Sequence, residues 1–221
     1  MASMSHEPWL RFTGRGAKPQ AVVLLLHGGE PHQFAPVRAF DVSVLRMFPF
    51  GRSVSRAGGG RIRVATLRYA VRGWNGDQES PLADARWAID RIAERYGDVP
   101  VGLVGHSMGG RVALRVGDNP GVRSVAALAP WLPPGEPIPP MDGRSVLLAH
   151  GTADSRTDPQ ATFKLAERFA AESVDVKLVK FPGARHSMLF PARPWHDLVA
   201  GFMVRSLLAQ APEGPTAPTS R

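Results

Sequence analysis

The 221 residues fit one hydrophobic core, and 43% hydrophobic with 21% charged residues excludes the composition of a disordered chain. The absence of cysteine excludes a disulfide framework, a thiolate metal site and a cysteine nucleophile; it suits a reducing compartment, so a cytoplasmic location is expected. The formal charge of +8 does not point to nucleic acid. Only Lys18, Lys164, Lys177 and Lys180 are lysines among 27 basic residues, and the arginines are spread singly along the chain.

The amino terminus, "MASMSHEPWLRF", lacks the apolar segment of a signal peptide. "AVVLLL" is too short to span a bilayer, and no membrane association is expected. A first strand is predicted over "AVVLLLHGG", then a helical or irregular stretch from about Ala35 to Ser55 that "GGGR" closes. A second strand, "RIRVATLRYA", leads through "VRGWNGDQES" to a helix whose N-cap and first-turn proline are read as Ser80 and Pro81. Ala85, Ile89, Ile92 and Tyr96 form the apolar stripe of that helix. Then follow the strand "VPVGLVG", a helix opened by "SMGG", the strand "VRSVAALAP", a proline-rich loop and the strand "SVLLAHG". Asp158 and Pro159 start the next helix, "DVKLVKF" is the last strand, and "RPWHDLVAGFMVRSLLAQ" the last helix. Residues 1–210 read as a single domain, and 211–221, "APEGPTAPTSR", as a disordered tail.

Apolar strands, each followed by a helix, predict an α/β fold, with a mostly parallel doubly wound sheet flanked by helices on both faces. Ligands bind such sheets beyond the carboxyl ends of the strands. "HGGEPH", "GHSMGG", "HGTAD" and "GARH" all follow predicted strands, which puts them on one edge. A serine hydroxyl becomes a useful nucleophile only with a base, a group that orients the base, and donors for the developing oxyanion. G-x-S-x-G at 105–109 could supply the serine, because glycines permit the sharp strand-to-helix turn that exposes it. The competing reading makes Ser107 a plain helix N-cap.

These segments together resemble the α/β-hydrolase superfamily, in particular compact, nearly lid-less serine esterases and dienelactone-hydrolase-like members. The resemblance runs from "HGG" at 27–29 through "GHSMGG" to "HGTAD" and "ARHSM" at 184–188. It implies a catalytic triad in the order Ser107, Asp154, His186. It implies an oxyanion hole from the backbone N–H groups of Met108 and Gly29, with Gly28 the alternative, and a bracing role for His27. Asp158 competes with Asp154 for the acid, but it precedes Pro159 and a helix and is already suited to capping. Among the seven histidines, His186 lies in the loop directly after the final strand, where an imidazole can reach Ser107 from across the edge. His106 adjoins the serine and is expected to point elsewhere, while His32 could touch substrate.

No H-E-x-x-H or comparable metal spacing occurs, and "RAGGGR" lacks the lysine and hydroxyl of a phosphate loop, so neither metal nor cofactor is expected. Only about fifteen residues, mostly "WLPPGEPIPPMDGR", stand where relatives insert a lid, which predicts an open site. Trp131 is read as a pocket-wall residue, with packing of the proline loop as the alternative; Trp74 is open to the same two readings. Arg185 could favour an anionic substrate. The expected function is carboxylester cleavage through an acyl-enzyme on a small-molecule ester or thioester. Thioesterase or lactone hydrolase action with the same triad is one alternative, and a non-catalytic ligand-binding protein of the same fold is another. A dienelactone hydrolase proper would use cysteine. The sequence leaves the oligomeric state open.

Overall fold

The computed structural model describes residues 6–14, 18–188 and 192–208, so the tail expected from 211 onward lies outside the described residues. Seven strands form one sheet: β1 (Trp9–Thr13), β2 (Ala21–Leu26), β3 (Ile62–Arg68), β4 (Val101–His106), β5 (Val122–Leu128), β6 (Ser145–Gly151) and β7 (Asp175–Phe181). Their order is β1-β3-β2-β4-β5-β6-β7, and every neighbouring pair is parallel except β1 with β3. The sheet is therefore mostly parallel, as the alternation of strands and helices predicts.

Helices cover both faces, which is why β2 and β4 are buried along their whole length and are apolar but for His106 at the end of β4. On one face α2 (Met47–Ala57) and α6 (Arg193–Leu208) bury Phe50, Val54, Trp195 and Met203 against Val23, Val104 and Leu147. On the other, α3 (Ser80–Tyr96), α4 (Met108–Arg115) and α5 (Pro159–Ala171) bury Ile89, Ile92, Val112 and Phe169 against Leu24, Leu103 and Val125. A short helix α1 (Val42–Leu45) precedes α2. At β7, an edge strand, Lys177 and Lys180 are exposed, as suits a strand that must not pair with another chain. No helix among the described residues is long and apolar enough to cross a membrane.

Two readings of the sequence are corrected. Ser80 is the first residue of α3, not its cap: Glu79 holds the cap position with a left-handed backbone, and the Ser80 hydroxyl accepts a bond from Asn75 Nδ2 at 3.2 Å. β1 was not foreseen, because it pairs on one side only and its residues alternate between exposed and half-buried. At α5 the expectation holds, since the Asp158 carboxylate accepts the Gln160 N–H at 2.8 Å. Between β5 and β6 the chain forms neither helix nor strand, so no helical lid stands there.

Candidate active site

Because the strands are parallel, the turns after β2, β4, β6 and β7 emerge at one edge of the sheet. After β4 the chain reverses sharply into α4, and Ser107 takes φ 58 and ψ −120, a conformation that side-chain-bearing residues rarely adopt. Its hydroxyl makes no capping bond to α4, which removes the N-cap reading. The turn holds because two glycines allow backbone to meet backbone. A Cβ at 105 would strike the Gly109 carbonyl, and one at 109 would strike the carbonyls of Leu26 and His27. Gly109→Ala is therefore expected to cost about 4 kcal/mol or more, since no flexible side chain can yield. Urea unfolding checks this, and a loss within ~1 kcal/mol would mean that the turn is looser than described.

The serine hydroxyl donates to His186 Nε2 at 3.0 Å, and His186 Nδ1–H donates to Asp154 Oδ2 at 2.7 Å. Ser107, Asp154 and His186 are thus brought together from three strand ends. The Asp154 side chain has no solvent exposure. Its Oδ2 also accepts from the Thr157 hydroxyl at 2.9 Å and from His150 Nε2–H at 3.1 Å. Oδ1 accepts the N–H groups of Arg156 at 2.8 Å and Thr157 at 3.1 Å. Burial alone would raise the pKa of this carboxyl, but the bonds from His150, His186, Arg156 and Thr157 outweigh burial and hold it well below the usual carboxylate range. The sequence reading did not give His150 or Thr157 this part. The signal available was a histidine on a buried strand end, four residues before the acid.

The "HGG" loop closes the other side. A Cβ on Gly28 would stand 3.3 Å from Ser107 Cβ, and one on Gly29 would lie 2.6 Å from the Met108 sulfur. Neither the Gly29 nor the Met108 N–H enters a loop or turn hydrogen bond among the described residues. His27 braces this loop: Nδ1–H donates to the Gly28 carbonyl at 2.6 Å, and Nε2 accepts the Tyr69 N–H at 3.3 Å. His106 turns its ring towards the histidine loop, where Nε2–H donates to the His186 carbonyl at 3.0 Å.

Burial lowers the pKa of His27 from the ordinary 6.5 to about 4, and burial, with charge repulsion from His186 and Arg46, lowers that of His106 to about 3. The unfolded chain binds protons at these sites below pH 6.5, while the folded one does not until pH falls to about 4 and about 3. Their contribution to stability is complete above 6.5 and declines by about 1.4 kcal/mol per pH unit for each as pH falls through that window. Chemical denaturation between about pH 6.5 and 5, above the main carboxylate range, tests this, and a flat profile would contradict it.

A cavity of about 800 Å³ opens over Ser107 and His186, with His32, Arg46, Arg72 and Arg156 in its wall. Trp131 does not line it. Its ring lies edge-on to Trp74, and the Arg111 guanidinium sits 3.5 Å from the Trp74 ring centre and 4.7 Å from that of Trp131. Arg111 in turn pairs with Glu136 of the proline loop at 2.6 Å, so both tryptophans fasten that loop to the body. Arg185 is exposed and outside the cavity wall. Arg46 and Arg156 were not singled out in the sequence, because neither belongs to a motif.

A family model described as "Alpha/beta hydrolase family" matches residues 23–218. A search of curated protein sequences finds no match. Among solved structures, the chain is similar to Est1E from Butyrivibrio proteoclasticus with ferulic acid bound, at 15% identity and a TM-score of 0.66, covering 91% of this chain and 95% of that one. It is similar to XC6422 from Xanthomonas campestris, described as an a/b serine hydrolase without lid, at 16% identity and a TM-score of 0.64, covering 96% and 91%. The esterase Pf2001 from Pyrococcus furiosus aligns at 17% identity and a TM-score of 0.64, covering 86% and 82%. At these identities the structural likeness speaks for the fold alone.

Proposed function

The chain belongs to the alpha/beta hydrolase family, and on that premise we propose that it is a serine hydrolase that cleaves carboxylic esters of small molecules through an acyl-enzyme on Ser107. The observation that carries the reading is the unbroken chain of contacts from the Ser107 hydroxyl through His186 to a buried, ionised Asp154. A hydroxyl used only to cap a helix has no need of it. The same fold carries the esterase Pf2001, a structural neighbour of this chain.

In this reaction the Ser107 oxygen attacks the ester carbonyl carbon while His186 Nε2 takes the hydroxyl proton. The oxyanion is received by the N–H groups of Met108 and Gly29, which have no loop or turn partner among the described residues to give up. Asp154 keeps the Nδ1–H tautomer of His186 and stabilises the imidazolium without taking a proton itself, in keeping with its lowered pKa. Collapse breaks the ester C–O bond, and His186 passes its proton to the departing alcohol. A water then loses a proton to His186 and attacks the acyl carbon, and Ser107 leaves with that proton restored. The reading takes residues 1–210 as one domain acting in the cytoplasm.

The test is turnover of 4-nitrophenyl acetate, butyrate and octanoate, with the Ser107→Ala protein as the blank. Release of 4-nitrophenolate above that blank, fastest on the shorter chains at this lid-less site, is expected. Equal rates for the two proteins on every ester would overturn the proposal.

A further inference from the structure

Arg46 joins α1 to α2 and serves as a cap residue of both helices, so its backbone is fixed by two elements, and the next residue, Met47, is fully buried. Its side chain lines the same cavity as Ser107. The Arg46 Nε is buried and has no hydrogen-bond partner among the described residues. Its charged neighbour is Arg156, another cation in the cavity wall, tethered through its own N–H to Asp154. Burial, and then repulsion from Arg156, lower the pKa of Arg46.

The acids of the cavity wall do not relieve this. Asp41 already accepts Arg72 Nη2 at 2.9 Å and the Arg38 N–H at 2.9 Å. Glu30 is exposed and forms no ion pair among the described residues. A half-buried guanidinium short of acceptors beside a second cation is costly in the empty protein. It fits a missing anion. A carboxylate offers two acceptor oxygens to the planar donor fork, whereas a cationic substituent would add a third positive charge and an apolar one would leave the donors unmet.

We propose that this cavity carries a carboxylate subsite, in which Arg46, with Arg156 beside it, receives a carboxylate group of the ester substrate. The proposal rests on Ser107 being the nucleophile of an ester hydrolase, and it narrows the substrates to esters that bear a free acid, such as half-esters of dicarboxylic acids.

Monomethyl glutarate and methyl pentanoate have the same acyl length and differ in a terminal carboxylate against a methyl, and acid release from both can be followed by pH-stat. Wild-type kcat/KM is expected to favour the half-ester by about tenfold or more, and Arg46→Gln to reduce that ratio about tenfold, with Arg46→Lys in between. The melting temperature of Arg46→Gln is expected to be no lower than that of the wild type, because an unpaired charge is removed. A wild-type ratio near one, or a ratio indifferent to Arg46→Gln, would overturn the subsite. If the wild type hydrolyses neither ester, the hydrolase reading fails, and calorimetric titration with glutarate judges the subsite separately. Binding that Arg46→Gln weakens supports it, and no binding, or binding that ignores Arg46→Gln, overturns it.

Discussion

Ser107→Ala is expected to lower kcat/KM for a short-chain ester on the order of 10⁵-fold, with little loss of stability. The hydroxyl is the group that forms and releases the acyl bond in the proposed mechanism, and His186 Nε2 would be left facing a methyl group. Alanine has a Cβ like serine and suffers the same backbone strain at φ 58, so the turn itself is not relieved or worsened. The lost interaction is one half-exposed hydrogen bond, a change of about 1 kcal/mol. Initial rates and a urea unfolding curve on the same preparation separate the two effects. A variant that folds and keeps its activity would move the nucleophile elsewhere.

Asp154→Asn is expected to lower kcat by up to about 10⁴-fold, the scale seen when the carboxylate of such a triad is replaced by an amide. Here the loss has a second cause. Asp154 accepts five hydrogen bonds and donates none, three at Oδ2 and two at Oδ1. An amide nitrogen in either position would face donors: His186, Thr157 and His150 on one side, the N–H groups of Arg156 and Thr157 on the other. The variant should therefore also lose stability, by about 1–3 kcal/mol for buried donors left unmatched. Asp158→Ala is the contrast. It removes the cap bond to Gln160 and is expected to cost about 1 kcal/mol with kcat unchanged. If Asp158→Ala lost the activity and Asp154→Asn kept it, the two carboxylates would have to exchange roles.

What could be read in the sequence was what short-range pattern controls. Apolar runs marked β2 and β4 because both of their faces are covered, and Asp158-Pro159 marked the start of α5 because cap chemistry is local. The four motif-bearing segments fell at strand ends, and parallel pairing then brings strand ends to one edge. β1 escaped because its pairing with β3, more than fifty residues away in the chain, leaves only an alternation of exposed and half-buried residues. Ser80 misled because a serine before a proline has the pattern of a cap, while the left-handed backbone at Glu79 that displaces it comes from the turn before the helix. Trp131 could not be assigned to wall or packing until Arg111, twenty residues earlier, was found against its ring. Arg46 and His150 belong to the same class: their neighbours Arg156 and Thr162 are set by packing, and a lone arginine or strand-end histidine carries no pattern that announces it.

The proposed chemistry stands or falls with Ser107 as the nucleophile. The most direct measurement is intact-mass spectrometry of the protein after exposure to a fluorophosphonate, followed by peptide mapping of the adduct. One phosphonyl group per chain is expected, located on Ser107, with no adduct on Ser107→Ala or on protein unfolded in urea. An adduct at another residue, or folded wild-type protein that takes up none, would contradict it.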